Sequence, residues 1–262
     1  MPQLSAITKQ SHADKSWTRY SSYAFASKSN IASLVGAEIA KAVHAFPMAF
    51  IKQQDSFFLV AVLSLTPGTN LFVAPDGRWL GGYIPSVFRG YPFQLAKAKG
   101  KDEQVLCVDE DSGLVNEDKA AGEPFFDDTG SVSQPVKDIL NFLNQVEQNR
   151  ASTNAAVAAL ADAGVITEWP LKIKGQDQEK PVAGLFRIDE TKLNSLEDEQ
   201  FIKLRKTGSL PIAYAQLFSM NQVSRLSELA KYHAREAQKQ ENLEPDIDQL
   251  FGHQGVLNFD NM

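Results

Sequence analysis

The sequence predicts an α+β fold of a single domain, in which an antiparallel-rich sheet from the first half packs against helices mainly from the second half. Two observations lead to this prediction. Extended runs of β-branched and aromatic residues dominate positions 46–65, and apolar residues at helical spacing begin after residue 133. The chain has 262 residues, of which 43% are hydrophobic. A chain of this length can bury a large core without a disulfide or a metal.

Most elements of the first half are expected to be extended. A helix is predicted over 31–43, where apolar residues lie near helical spacing. Residues 46–51 and 57–65 form two apolar runs separated by polar residues, which is typical of a hairpin with a loop of four or five residues. The second run does not alternate, which indicates a strand covered on both faces. A turn is predicted at 75–77, and a short strand at 105–108.

Helical periodicity predicts a series of helices in the second half. The first two span 136–146 and 157–161, with Ser133 as the N-cap of the first and Gly164 as the left-handed C-cap of the second. Two short strands and three further helices follow: strands at 171–173 and 182–188, a helix capped by Asp189, a helix that stops at Gly208, and a helix within 213–240.

Composition divides the chain into three parts. Residues 1–30 are Ser-rich and polar and are expected to form an N-terminal arm. Residues 31–243 form the α+β domain, strand-rich over 46–127 and helix-rich over 133–243. Residues 244–262 form a C-terminal tail in which acidic and apolar side chains are interleaved. The tail either orders on a partner or folds back on its own domain.

Charge and hydropathy limit the classes of partner. The net charge of −6 and the pI near 5.3 argue against nucleic-acid binding. Residues 102–128 carry ten acids and one base, a local charge of −9, which is typical of a solvated loop. The most apolar run, 57–65, has half the length of about 20 residues that a membrane-spanning helix needs. With no export signal recognised, a cytoplasmic location is expected, and non-classical export stays open.

Residues 72–93 are unusually rich in aromatic side chains. Six of these 22 residues are aromatic, two are arginines, and Asp76 is the only acid. Arginine beside aromatic rings makes cation–π contacts or binds carboxylates in a bidentate manner, so a binding site is predicted. The candidate ligand-binding residues are Arg78, Trp79, Tyr83, Arg89, Tyr91 and Asp109. The alternative is a rigid structural corner whose arginines pair with acids such as Asp109.

No catalytic residue, metal site or cofactor site is predicted. The four histidines are scattered, and an EF-hand loop beginning at Asp109 would lack the required glycine and glutamate. Cys107 lies between apolar residues of a predicted strand, which indicates a buried, inert thiol. The sequence contains no nucleophile elbow, phosphate loop or dinucleotide fingerprint.

Residues 70–93, NLFVAPDGRWLGGYIPSVFRGYPF, resemble the bacterial SapC family. The resemblance covers roughly residues 31–231 and includes Phe46-Pro47, residues 106–109, residues 184–189 and the region 208–219. It implies a protein of about this length, named for a link to a bacterial surface layer. Relatives are often encoded near outer-membrane receptors and flavin-dependent halogenase-like genes. No catalytic residue is implied. We refer to residues 70–93 as the Arg-aromatic segment.

The leading hypothesis is a soluble accessory protein that binds a protein, a peptide or a small anionic ligand through the Arg-aromatic segment. One alternative is an enzyme or enzyme subunit that acts on a peptide or metabolite and uses Asp109, Glu110 or Asp111 beside Arg78 or Arg89. A pocket where these charges meet would favour that alternative or ligand binding. A structural component of a surface layer is the third hypothesis, and the oligomeric state is left open.

Overall fold

The computed structural model describes residues 3–97, 104–174 and 179–241, and it confirms the α+β prediction. Its central sheet has five antiparallel strands in the order β10-β13-β4-β5-β3. Both halves of the chain contribute to this sheet. In chain order its strands are β3 (Ile31–Ser33), β4 (Met48–Gln53), β5 (Ser56–Val62), β10 (Ile166–Glu168) and β13 (Leu185–Ile188).

The β4–β5 hairpin forms the centre of this sheet. Gln53 pairs with Ser56, so the loop has two residues rather than the four or five that the sequence predicts. Gln54 in this loop has a φ of 52°, the left-handed conformation that tight hairpin turns use. Residues 59–62 are all buried, which confirms that this strand is covered on both faces.

Eight α-helices occur in the described residues, and two of them pack on the central sheet. α4 packs against β5, and α7 packs against β13, β4 and α4. The helices are α1 (Lys9–His12), α2 (Ile39–Ala42), α3 (Ser86–Arg89), α4 (Gln134–Asp162), α5 (Glu190–Asn194), α6 (Asp198–Lys206), α7 (Ser209–Ser219) and α8 (Val223–Glu241).

Two smaller antiparallel sheets lie beside the central one. Their orders are β1-β7-β6 and β8-β2-β9. Their strands are β1 (Leu4–Ala6), β2 (Ser16–Trp17), β6 (Phe93–Lys97), β7 (Gln104–Asp109), β8 (Val115–Asn116) and β9 (Glu123–Pro124). A second core cluster, which includes Trp17, Phe93, Val108 and Phe125, lies here. A separate hairpin is formed by β11 (Leu171–Lys174) and β12 (Glu179–Val182).

Several local predictions differ from the structure. The described part of the expected N-terminal arm contributes β1, β2 and a fully buried Trp17. The sequence does not indicate these two strands, because both are very short and lie among polar residues. Residues 31–43 form β3, a 3-10 turn and α2 rather than one helix. The acidic stretch contains β7, which confirms the strand predicted at 105–108, and also the unpredicted short strands β8 and β9. The C-terminal tail, 244–262, lies outside the described residues.

The two helices predicted over 136–146 and 157–161 are one helix, α4, of 29 residues. Its central turns are polar, which obscured the continuity. Tertiary contacts stabilise these turns: the Thr153 hydroxyl accepts the Gly36 N–H at 2.7 Å, and the Arg150 guanidinium donates to the Ser33 hydroxyl at 2.7 Å. Gly164 ends the helix with a φ of 69°, as predicted.

Candidate functional site: an acidic, aromatic groove

An open groove of about 780 Å³ lies between α3, β6 and one side of α4. We call it the α3–α4 groove. β1, the end of β7 and the turn at residue 25 complete its walls. Its apolar lining consists of Leu4, Phe25, Val87, Phe88, Tyr91, Pro92, Phe93, Leu95, Leu143 and Val146. A concave surface of this size and composition is typical of ligand and peptide sites.

Aromatic rings stack in the wall of the groove. Phe25 and Tyr91 lie face to face, with centroids 3.9 Å apart and ring planes at 7°. Tyr20 packs edge-on against both rings, at 5.2 Å from Phe25 and 6.2 Å from Tyr91. Such packing fixes the orientation of the rings. Part of the apolar lining remains open to solvent, since Val87 is 44% exposed and Leu4 is 39% exposed.

The charged side chains in the groove are mostly acidic. Asp109 is only 9% exposed, and its Oδ1 accepts the Asp111 N–H at 3.2 Å. No basic side chain pairs with either aspartate in the part of the chain that the structure describes. Arg150 also lines the groove, but its Nε donates to the Glu147 carboxylate at 2.8 Å. One basic group therefore faces three acids.

Tyr91 lies close enough to Asp109 for the two groups to affect each other. Burial raises the pKa of the Tyr91 hydroxyl, and the negative charge of Asp109 raises it further. Tyr91 therefore stays protonated across the neutral range. A carboxylate beside aromatic rings is an environment that suits a cation.

A buried carboxylate, Glu38, determines the position of α3. Glu38 is 3% exposed, and its Oε1 accepts the Tyr83 hydroxyl at 2.9 Å and the Ser86 N–H at 2.6 Å. Its Oε2 accepts the Ser86 hydroxyl at 2.7 Å and the Val35 N–H at 3.1 Å. Four donors thus satisfy one carboxylate, and they fix the start of the helix that carries Val87 and Phe88 into the groove.

Arg89 lies at the outer side of this network. It donates to the Tyr83 hydroxyl at 3.1 Å and lies 3.9 Å from Oε1 of Glu38. Its guanidinium also lies over the Phe142 ring, 5.1 Å from the centroid. Burial and the Glu38 charge raise the pKa of Tyr83, so this phenol remains a hydrogen-bond donor.

Comparison with known proteins places these features in a family. A family model, SapC, matches residues 7–226. The chain belongs to the SapC family. The match confirms the resemblance and begins well before residue 31, so it includes β2 and much of the stretch expected to be an arm. It also includes every residue of the groove except Leu4. No curated protein and no solved structure matches the chain significantly.

The six candidate residues of this SapC chain do not form one site. Tyr91 and Asp109 line the α3–α4 groove, whereas the other four do not. Arg78 is on an exposed turn and pairs with Asp76 at 2.6 Å. The Trp79 indole N–H donates to the Tyr83 backbone carbonyl at 2.7 Å, and both rings pack against the main core.

The charge arrangement that would favour the enzyme alternative is only partly present. Asp109 and Asp111 do line the groove, but neither Arg78 nor Arg89 lines it with them. Glu110 lies 2.9 Å from the buried ring of His12 and 3.8 Å from the Lys15 ammonium. Cys107 is buried, and burial raises the pKa of its thiol.

The described part of this SapC chain shows neither a metal cluster nor a membrane-crossing helix. No three His, Cys, Asp or Glu side chains converge within 3–97, 104–174 and 179–241. Across the same residues, no helix is both long and apolar enough to cross a bilayer.

Sequence reasoning missed several residues that shape the groove in this family member. Phe25 lies in the polar N-terminal stretch, and Glu38 is a lone acid in an apolar run. Glu147 and Arg150 belong to the polar centre of α4, which resembles an exposed helix face. Of these residues, only Glu38 could have been found from the sequence. It is an acid within the apolar run 34–39, and a carboxylate that is buried there must find hydrogen-bond donors.

Proposed function

We propose that this SapC-family protein is an accessory binding protein, and that it holds a segment of a protein or peptide partner in the α3–α4 groove. One observation carries the proposal: an open groove of about 780 Å³ whose apolar lining includes exposed side chains, Val87 at 44% and Leu4 at 39%. Apolar side chains open to solvent within a concave surface are typical of an interaction site.

The position of β6 supports an extended segment as the partner. β6 is at the edge of its three-stranded sheet and contributes Phe93, Gln94 and Leu95 to the groove. An edge strand can pair with an extended chain, while alternate side chains of that chain occupy neighbouring pockets. The small anionic ligand remains a separate candidate. It would use Arg78 or Arg89, which lie outside the groove.

The test compares a groove variant with a matched surface variant. Short peptides are selected from a phage-displayed random library, and their affinity is measured by fluorescence anisotropy. Val87→Gln replaces an exposed apolar side chain inside the groove, and Phe218→Gln replaces one outside it, where Phe218 is 68% exposed. Both variants keep the buried core unchanged.

We expect selected peptides to bind the wild type and Phe218→Gln equally. Val87→Gln should weaken binding by roughly tenfold, since a buried aliphatic contact contributes about 1.5 kcal/mol. Failure to select any peptide contradicts the proposal, as does equal binding by Val87→Gln. A ligand lost instead in Arg89→Ala would favour the anionic site.

A further inference from the structure

Asp109 is the one carboxylate in the groove that is nine-tenths buried and lacks a basic partner in the described residues. Among the described residues its carboxylate accepts a single hydrogen bond, from the Asp111 N–H to Oδ1. Removing a charged group from water without a partner is costly, so natural proteins usually pair such a group. Asp109 is therefore poised to bind a cation.

The other charged side chains of the groove leave it with a net negative charge. Asp111 is exposed beside Asp109 and has no basic partner within 3–97, 104–174 and 179–241. Glu147 and Arg150 neutralise each other at 2.8 Å, and Arg150 also bonds to Ser33. The net excess in the groove is thus two negative charges, and one of them, Asp109, lies close enough to Tyr91 to raise its pKa.

We propose that the α3–α4 groove recognises a lysine or arginine side chain of its partner, flanked by apolar residues. This inference rests on the proposed function and adds the chemistry of the partner. The ammonium or guanidinium group would pair with Asp109 and Asp111, and the apolar neighbours would cover Val87, Phe25 and Leu4. The protein's own tail is a poor occupant, because residues 244–262 contain four acids and no lysine or arginine.

The probe is a set of short blocked peptides, acetylated and amidated, with Lys, Arg, Gln or Glu at the centre. The flanking positions carry an equal mixture of Leu, Val, Phe and Ser. Affinity is measured by fluorescence anisotropy for the wild-type chain, Asp109→Asn, Asp111→Asn and Val87→Gln. Asp109→Asn keeps the oxygen that accepts the Asp111 N–H, so the turn is preserved. Circular dichroism of each variant checks the fold.

We expect the Lys and Arg peptides to bind the wild type about tenfold more tightly than the Gln peptide, and the Glu peptide to bind most weakly. Asp109→Asn should remove most of this preference while the affinity for the Gln peptide stays unchanged. Asp111→Asn, an exposed change that does not threaten folding, should reduce the preference in part. Added NaCl should weaken binding of the Lys and Arg peptides and leave binding of the Gln peptide unchanged.

Two failures can be told apart. If all four peptides bind equally and Val87→Gln weakens them together, the groove binds peptides but the cation preference is wrong. The inference is also overturned if Asp109→Asn and Asp111→Asn both retain the preference. If no peptide binds, the proposed function fails with it.

Discussion

Glu38 shows at the residue scale how one buried carboxylate positions a binding surface. Its four donors come from residues 35, 83 and 86, so it joins the start of the domain to the Arg-aromatic segment. Tyr83 and Arg89, which the sequence suggests as ligand contacts, bond here to each other and to this acid. In this structure both residues therefore help to position α3.

The first prediction concerns Glu38→Gln. The amide NH₂ of glutamine would face donors that now approach a carboxylate oxygen, so at least one buried group loses its partner. We expect the free energy of unfolding to fall by about 2–4 kcal/mol. Urea denaturation measures this value. Glu228→Gln, an exposed change on α8, is the control and should stay within about 0.5 kcal/mol of the wild type. Equal stability of both variants would contradict the role of Glu38.

Gln216 shows at the element scale how a helix completes a sheet. Its Oε1 accepts the Ile188 N–H at 2.8 Å, and its Nε2 donates to the Met48 carbonyl at 3.1 Å. β13 and β4 pair at Leu185 with Ile51 and Phe186 with Phe50, so Ile188 and Met48 are the positions that the same register would bring opposite each other. The amide of Gln216 occupies the place of the missing backbone bonds and anchors α7 to the sheet.

The second prediction concerns the two hydrogen bonds that the Gln216 side chain makes with the backbone of β13 and β4. Gln216→Leu leaves a buried N–H and a buried carbonyl without partners. We expect it to lower the free energy of unfolding by about 2–4 kcal/mol. Gln148→Leu, at an exposed position of α4, is the matched control. Thermal and urea denaturation give the comparison, and an unchanged midpoint for Gln216→Leu would refute this account.

An element could be predicted from the sequence where its apolar or β-branched pattern is continuous, and not where polar residues interrupt the pattern. The hairpin of β4 and β5 was predicted because six of its residues are β-branched or aromatic within one short stretch. The continuity of α4 was not predicted, because its central turns are polar and are stabilised by Gly36 and Ser33 from distant parts of the chain. The two-residue loop was not predicted either. Gln54 in this loop adopts a positive φ, and only glycine or asparagine at this position would have indicated a tight turn in the sequence.

At the scale of the whole molecule, the N-terminal stretch and the acidic stretch pair with each other. Lys15 contacts Glu117 at 2.8 Å, and Arg19 contacts Glu123 at 2.8 Å. β2 lies between β8 and β9, so the two stretches also share a sheet. These exposed ion pairs contribute little stability by themselves. The stability of this region comes from the second core cluster, where Trp17 packs edge-on against Phe93 at 4.7 Å.

The third prediction tests this integration of the N-terminal stretch. Trp17 is 1% exposed, so Trp17→Ala should lower the free energy of unfolding by about 3–5 kcal/mol through lost burial and a new cavity. Lys28→Ala, an exposed change in the same stretch, should have little effect. Urea denaturation distinguishes the two. If Trp17→Ala is as stable as Lys28→Ala, the stretch behaves as the polar arm that its composition suggests.

The sequence by itself determined the fold class, the central hairpin and the family, because these depend on periodicity and on a contiguous motif within residues 70–93. It also identified Tyr91 and Asp109 as candidates. Only the tertiary structure decided which candidates share a surface and what charge that surface carries. Phe25, Asp109 and Glu147 are far apart in the chain, and no local pattern records that folding brings them to one groove. Local composition indicated arginines as the ligand-binding groups. In the folded chain these arginines pair with acids, whereas two aspartates of the groove have no basic partner among the described residues.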